Sequence, residues 1–229
     1  MTRAVLFDFY GTLVHATSWG RSYEEVLAGH GYDLGERLRN WLEDDGNFDG
    51  REHAEHSVSR EAYVAWERAR LLRMVEACGV GADDAEGLVD ELHGAAKAFS
   101  LVAFEEVPDV LREVRRRGVT VAVCSNWDWD LDRGIAQAGL EALVDLVVTS
   151  ARAGARKPHP RIFRHTLDLL AVAPADVLFV GDSWKCDVQG SLAAGIRCAH
   201  VCRDTSTDPP PLVDGVARVA DLHGVLDLV

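Results

Sequence analysis

The sequence predicts an α/β protein, in which helices cover a parallel sheet and a helical segment is inserted near the beginning. Short apolar runs rich in β-forming residues recur along the chain and predict buried strands. Helical patterns alternate with these runs from about residue 105 to 202, whereas only helical patterns follow the first run for some ninety residues. Such alternation is typical of a parallel sheet with helices on both faces.

Composition and charge narrow the class of protein. The chain has 229 residues, 48% of them hydrophobic, and a formal net charge of −13. This length suits one large domain or one domain with an insertion, and the negative charge disfavours nucleic acid and anionic lipid as partners. No window offers the roughly 20 apolar residues of a membrane span, and residues 1–8 do not resemble a signal peptide, so we expect a cytoplasmic protein. The cysteines are expected to be free thiols: Cys78, Cys124, Cys186, Cys198 and Cys202.

The predicted strands and helices of the core follow from these patterns. The strands are Ala4–Phe9, Val119–Cys124, Leu143–Thr149, Val177–Val180 and Cys198–Cys202. The helices between the later strands are Val107–Arg117, Leu131–Ala138, Pro160–Leu170 and Asp187–Ala194. The core is therefore predicted to comprise residues 1–14 and 105–229.

Residues 15–104 predict a helical cap. Its helices are Arg21–Gly29, Leu34–Asp44, Ser59–Cys78 and Asp83–Ala98. Ser59 is a suitable N-cap residue, and apolar residues from Tyr63 to Val75 recur at helical spacing. Because helices inserted this early must pack outside the sheet layers, we expect them to cover the strand ends and exclude water there.

Polar clusters follow four of the predicted strands, at the edge where ligands bind in open parallel sheets. They are Asp8-Phe9-Tyr10-Gly11-Thr12, Ser125-Asn126, Lys157-Pro158, and Gly181-Asp182-Ser183 with Asp187 further on. A single aspartate after a strand is more often a turn or cap residue. Four clusters at one sheet edge instead predict a shared pocket.

The residue types in these clusters suit covalent hydrolysis. Asp8 is a candidate carboxylate nucleophile, which would divide one difficult displacement into two easier steps. Lys157 and the Ser125 hydroxyl can bind an anionic group and neutralise developing charge. The carboxylates of Asp8 and Asp182, with the backbone carbonyl of Tyr10, offer three oxygens of the kind that Mg²⁺ prefers.

In their order and spacing, the four clusters resemble the signature motifs of the haloacid dehalogenase superfamily, and the insertion resembles the C1-type cap of its subfamily I. The resemblance implies a Rossmann-like core, an aspartyl enzyme intermediate and hydrolysis. It implies that Thr12 and Ser125 bind the transferred group. The resemblance also assigns substrate contacts to Tyr10, Gly11 and Asn126, and Mg²⁺ ligands to Asp8, Tyr10 and Asp182. Ser183 and Asp187 would orient the groups that contact substrate or metal.

Two departures from the family patterns leave alternatives open. Phosphatases of the superfamily usually carry an acid-base aspartate where this chain has Tyr10, and tyrosine there resembles metal-independent 2-haloacid dehalogenases. Those dehalogenases usually have serine, asparagine and tyrosine where this chain has Asp182, Trp184 and Phe163. Loss of a general acid costs about 10² to 10⁴ in rate, which acidic leaving groups can tolerate. We therefore expect Mg²⁺-dependent hydrolysis of a small phosphate ester, with a 2-haloacid dehalogenase and a non-catalytic binding protein as alternatives.

Partner expectations follow from the same reasoning. The substrate is expected to be a small anion, an organic phosphate or a 2-haloacid, and the protein a monomer or homodimer. Trp127 and Trp129 suit either packing or a flat platform for substrate. Arg152 and Arg156 are candidates for the pocket mouth or for surface charges, and His53, which begins an H-x-x-H sequence, is expected to be solvated rather than metal-bound.

Overall fold

A parallel sheet forms the centre of the fold. The computed structural model describes residues 1–32, 49–95, 97–203 and 209–229. In these ranges the strands are β1 (Ala4–Phe7), β2 (Val14–Ser18), β3 (Ser100–Ala103), β4 (Thr120–Ser125), β5 (Leu146–Thr149), β6 (Val177–Gly181), β7 (Arg197–Val201) and β8 (Val216–Val219). Six of these described strands form one sheet in the order β5-β4-β1-β6-β7-β8, and every neighbouring pair is parallel.

The position of β1 at the centre of this sheet explains its composition. All of its residues are fully buried, and Phe7 pairs with Val123 of β4 and Val180 of β6. Continuous apolar sequence is what a strand covered on both faces requires. Because the three strands run in the same direction, their carboxyl ends meet at one edge, which brings the polar residues that follow them together.

Helices pack on the sheet and in the insertion. Their described ranges are α1 (Tyr23–Gly29), α2 (Arg60–Ala77), α3 (Ala82–Ala95), α4 (Val107–Arg116), α5 (Leu131–Gln137), α6 (Ser150–Ala153), α7 (Pro160–Leu170) and α8 (Gly190–Ala193). The helix predicted over Asp187–Ala194 is instead a π-helical turn, Trp184–Gln189, followed by α8. The helix predicted over Leu34–Asp44 lies outside the described residues.

Two compact units divide the chain. One comprises Met1–His15, Asp49–Ser57 and Leu101–Val229, and the other comprises Ala16–Phe48 and Val58–Ser100. The second unit has its own apolar core, in which Leu27, Leu71 and Leu92 are almost fully buried. The predicted boundaries between core and cap, at residues 15 and 104, stay a prediction. The segment Asp49–Ser57 belongs by its contacts to the unit that contains the sheet.

The expectation of an insertion without strands was wrong. β2 and β3 form a separate two-stranded sheet at the two ends of the insertion. Both strands are short, and β2 is mostly exposed beyond Val14, so neither has the continuous apolar sequence of a central strand. Among the described helices, none combines the length and apolar character that a membrane crossing requires.

Candidate active site

Asp8 occupies the first position after the central strand. Its backbone N–H donates to the carbonyl of Val180 at 2.8 Å, which continues the pairing with β6 and fixes the start of the loop. The Asp8 side chain is almost buried, and its Oδ1 accepts hydrogen bonds from Ser125 Oγ at 2.9 Å and Lys157 Nζ at 2.6 Å. Ends of β1 and β4 thus bring a carboxylate and a hydroxyl into direct contact.

Lys157 is a buried cation between two carboxylates. Its Nζ contacts Asp8 Oδ1 and Asp187 Oδ1, each at 2.6 Å, and its side chain is only 2% exposed. Burial opposes the charged form, but Asp187 and then Asp8 more than offset that cost and hold the pKa of Lys157 above its usual value. The ammonium is therefore charged throughout the neutral range. Asp187 is held in turn by the backbone N–H of Ser183, which donates to its Oδ2 at 2.9 Å.

Asp182 adds a further carboxylate beside Asp8. The Thr12 hydroxyl donates to Asp182 Oδ1 at 3.3 Å, and Thr12 itself is fully buried. Asp182 keeps an exposed surface, but partial burial of its carboxyl group, followed by the negative charge of Asp8, raises its pKa to about 6. Gly11 makes room for this carboxylate: its φ is +85°, and a Cβ there would lie 2.3 Å from Asp182 Oδ2. Only glycine fits this close approach without displacing Asp182.

The carboxylates form a donor set that fits a hard divalent cation. One oxygen each from Asp8, Asp182 and Asp187 lie within 4.8 Å of one another. Carboxylate oxygens are the ligands that Mg²⁺ prefers, so the donor chemistry fits that ion. Asp187 already binds Lys157 and the Ser183 backbone with its two oxygens, which leaves Asp8 and Asp182 as the more available ligands.

A cavity of about 290 Å³ opens above these residues. Its lining includes the predicted site residues Asp8, Tyr10, Ser125, Asn126, Lys157 and Asp182. Ser183 and Asp187 line it as well, while Thr12 and Gly11 lie against Asp182. Residues far apart in the sequence therefore meet at one sheet edge. The most distant pair, Asp8 and Asp187, is separated by 179 positions.

Comparison with known proteins identifies the family. A sequence profile described as haloacid dehalogenase-like hydrolase matches residues 2–195. The chain belongs to this family of hydrolases. Its catalytic class is therefore hydrolysis, and the strand-end cluster around Asp8 is the part of the hydrolase that carries the four motifs.

Several relatives of this hydrolase are phosphatases. A phosphoserine phosphatase from Thermus thermophilus is 34% identical over 170 residues, which cover 72% of this chain and 67% of that enzyme. Phosphatase MT3486 from Mycobacterium tuberculosis is 31% identical over 98% of this chain and 96% of its own length. The human haloacid dehalogenase-like hydrolase domain-containing protein 3 is 37% identical over 56% of this chain, and the alignment spans about half of that protein, 53%.

Solved structures of similar fold include both chemical classes. An L-2-haloacid dehalogenase from Xanthobacter autotrophicus has a TM-score of 0.64 and 21% identity, with 100% of this chain and 98% of that chain covered. A phosphatase of the family from Thermococcus onnurineus has a TM-score of 0.58 and 19% identity, with 100% and 97% covered. At these identities the likeness establishes the fold of the hydrolase and leaves its substrate open.

The structure places three residues for which the sequence allowed two interpretations: Trp127, Arg152 and Arg156. Trp127 lines the cavity and packs edge-on against Phe9, with ring centroids 5.6 Å apart, so it serves both packing and the pocket wall. Arg156 lines the cavity, whereas Arg152 donates to the carbonyl of Trp129 and pairs with Asp132.

Other residues differ from their sequence-based interpretation. His53 is 5% exposed rather than solvated, and burial lowers its pKa to about 4. Asp49 and Cys186 line the cavity without having been singled out from the sequence. The Asp49-Gly50 pair has the composition of an ordinary turn, and Cys186 has that of a buried helix residue, so neither carried a local signal.

Proposed function

We propose that this hydrolase cleaves a small phosphate monoester with Mg²⁺ as cofactor and Asp8 as nucleophile. The observation that carries the proposal is that the carboxylate of Asp182 lies beside that of Asp8. One oxygen from each of Asp8, Asp182 and Asp187 lies within 4.8 Å of the other two. Three carboxylates with the ammonium of Lys157 leave the cluster at a net charge of about −2 when all are ionised. A dianionic substrate would be repelled from this cluster unless a cation covered it.

The residues available for the metal are Asp8, Asp182 and the backbone carbonyl of Tyr10. Asp8 and Asp182 supply carboxylate oxygens, and Tyr10 lines the same cavity. When bound, Mg²⁺ would neutralise these carboxylates and polarise the phosphoryl oxygens of the substrate. Burial and then the negative charge of Asp8 raise the pKa of Asp182, so a cation bound here would favour its ionised form.

Asp8 is ready to act as a nucleophile. Ser125 and Lys157 both bind its Oδ1, and these are the hydrogen bonds to its carboxylate within the described part of the chain, so Oδ2 is the oxygen available for attack. Attack of Oδ2 on phosphorus forms an aspartyl phosphate and expels the alcohol of the ester. Lys157 and Ser125 stabilise the charge that develops on the transferred group, and water then releases inorganic phosphate and regenerates Asp8.

The rigidity of Lys157 supports its electrostatic role. Asn126 Oδ1 accepts the backbone N–H of Lys157 at 2.6 Å, and Asn126 Nδ2 donates to the Lys157 carbonyl at 3.0 Å. These two hydrogen bonds with the Asn126 side chain fix the backbone of Lys157, while Asp8 and Asp187 fix its ammonium group. A charge held in advance costs little reorganisation during the reaction.

A second candidate function is hydrolysis of a carbon–halogen bond. Tyr10 favours it, because a halide leaves without a proton and needs no acid at this position. Asp182 opposes it, since an extra carboxylate beside an anionic haloacid is repulsive. The carboxylate cluster is therefore better explained by phosphate ester hydrolysis.

A metal titration tests the proposal. The protein is treated with EDTA, dialysed, and assayed for phosphate release from a panel of small phosphate esters while Mg²⁺ is added back. We expect no turnover without Mg²⁺ and saturable activation by it. Asp182→Asn should require a much higher Mg²⁺ concentration, whereas Asp168→Asn, which removes an exposed carboxylate of α7, should behave like the unmodified protein. Phosphate release that is indifferent to EDTA would contradict the proposal.

A further inference from the structure

The cleavage of an ordinary phosphate ester needs a proton for the departing oxygen, and this inference rests on the function proposed above. An alkoxide is a poor leaving group, so an acid that protonates it contributes about 10² to 10⁴ in rate. In this chain the residue two positions after Asp8 is Tyr10, which has no carboxyl group. The structure brings another carboxylate, that of Asp49, to the wall of the same cavity.

Asp49 begins a segment, Asp49–Ser57, that is attached to the loop carrying Lys157. Backbone hydrogen bonds run from Gly50 N–H to the Lys157 carbonyl at 3.2 Å, and from His53 N–H to the Gly154 carbonyl at 2.7 Å. The N–H of Arg156 returns a bond to the carbonyl of Arg51 at 3.1 Å. Lys157 is in turn bound to Asp8, so the segment has a defined position relative to the nucleophile.

Close packing reinforces this attachment. Gly154 has a φ of +76°, and a Cβ at that position would lie 2.7 Å from the Cα of Ala54. Glu52 and Ala155 form an antiparallel bridge, and Arg161 pairs with Glu52 at 3.0 Å. The segment therefore lies against the loop as a short extension of backbone pairing, which is the support that a reacting side chain needs.

One oxygen of Asp49 is anchored and the other is less engaged. Oδ1 accepts Asn126 Nδ2 at 3.1 Å and Arg156 Nε at 3.3 Å. Within the described part of the chain, the hydrogen bond to Oδ2 comes from the Cys186 thiol at 3.4 Å, and a thiol is a weak donor. The Asp49 side chain keeps 26% of its surface exposed, so a proton can exchange with solvent.

Among the described residues, the other charged groups and the thiol that line the cavity are paired, assigned another role or only weakly acidic. Lys157 and Asp187 are paired with each other, and Arg156 pairs with Asp49 itself. Burial, with the charge of Asp49, raises the pKa of the Cys186 thiol to about 11. Asp8 and Asp182 are the residues proposed for attack and for the cation. Asp49 is the carboxylate that remains.

We propose that Asp49 is the catalytic acid and base of this hydrolase, in place of the acid that position 10 lacks. In the first step Asp8 Oδ2 bonds to phosphorus, the bond from phosphorus to the ester oxygen breaks, and the proton of the Asp49 carboxyl passes to that oxygen to give the alcohol. In the second step a water oxygen bonds to phosphorus, the bond to Asp8 breaks, and a proton of the water returns to Asp49.

Leaving-group dependence tests this role. Asp49→Asn keeps the size of the side chain and removes the ionisable oxygen. The value of kcat/KM is compared for phenyl phosphate and p-nitrophenyl phosphate, because it reports the step in which the alcohol leaves and p-nitrophenol is the stronger acid. We expect a loss of about 10²-fold for phenyl phosphate and a change of only a few-fold for p-nitrophenyl phosphate. Because both values come from one preparation, incomplete folding cancels in their ratio.

Three further variants complete the test. Glu55→Gln, which removes an exposed carboxylate from the same segment outside the cavity, should leave the ratio unchanged. Asp49→Glu should restore part of the loss for phenyl phosphate. Equal losses for both substrates in Asp49→Asn, or a selective loss in Tyr10→Phe instead, would overturn the role of Asp49. Absence of ester hydrolysis in the unmodified protein would overturn the proposed function itself, which distinguishes the two failures.

Discussion

At the scale of single residues, the proposed reaction depends on the carboxylate of Asp8. Asp8→Asn removes the charge of the proposed nucleophile but preserves the shape of the side chain, and Lys157 keeps its contact with Asp187. We expect a folded protein whose phosphate release is reduced at least about 10³-fold, because removal of a covalent nucleophile leaves only binding and electrostatic contributions. A steady-state assay checks this, with Asp168→Asn as the variant that should retain activity. Activity within tenfold of the unmodified protein would exclude covalent catalysis by Asp8.

Asp182 links the site to the pH dependence of stability. Its pKa in the folded protein is raised to about 6 from the ordinary value of 3.8, so its ionisation opposes folding. The stability contribution of its neutral form is complete below pH 3.8 and is lost as the pH rises through about 6. In EDTA at pH 7.5, Asp182→Asn should therefore raise Tm, whereas the same variant should give no gain near pH 4. Thermal unfolding followed by circular dichroism measures both, and a lower Tm at pH 7.5 would contradict the charge repulsion.

Individual site residues were predictable from the sequence where they follow a buried run directly. Asp8, Ser125 and Asp182 each come at or just after the end of a strand, and the parallel direction of the strands brings them together. Asp49 was not predictable in this way. Its place in the cavity depends on pairing between Asp49–Ser57 and residues 154–157, which are about a hundred positions away, and no local pattern encodes that contact.

At the scale of elements, the turn after β1 combines two demands on Gly11. The backbone has a φ of +85°, and a side chain would meet Asp182. Gly11→Ala should cost about 1–2 kcal/mol of unfolding free energy from the left-handed backbone alone, and should also displace Asp182. We therefore expect lower kcat/KM and weaker activation by Mg²⁺.

A matched variant separates the two effects on Gly11. Gly118 has a φ of +76° in a turn before β4, and nothing lies within 4 Å of its Cβ position. Gly118→Ala should lose similar stability, measured by urea unfolding, with its activity intact. Equal activity in the two variants would show that contact between position 11 and Asp182 has no catalytic importance.

Predicted elements agree best with the structure where the hydrophobic period is strong. Helix α7 begins and ends at the predicted residues, and the predicted sheet strands differ by a few residues at their ends. β2 and β3 were missed because short, half-exposed strands have no distinct period of their own. The π-helical turn after β6 was missed because it is shaped by the contact of Asp187 with Lys157 and the Ser183 backbone, which is a tertiary effect.

At the scale of the whole molecule, the family assignment explains why two chemistries compete for one fold. The solved structures that resemble this chain include dehalogenases and a phosphatase at similar TM-scores, so the overall backbone does not discriminate between them. The discriminating features are local: Asp182 with its neighbours favours phosphate chemistry, and Tyr10 favours dehalogenation. The function must therefore be decided by following the products.

The most direct test follows inorganic phosphate and chloride in parallel. The purified protein is incubated with a panel of phosphate esters and with L-2-chloropropionate, each with Mg²⁺ and with EDTA, and Asp8→Asn serves as the inactive control. We expect phosphate release that requires Mg²⁺ and Asp8, with no chloride release in either condition. Chloride release that continues in EDTA and depends on Asp8, without phosphate release, would contradict the account and assign the site to dehalogenation.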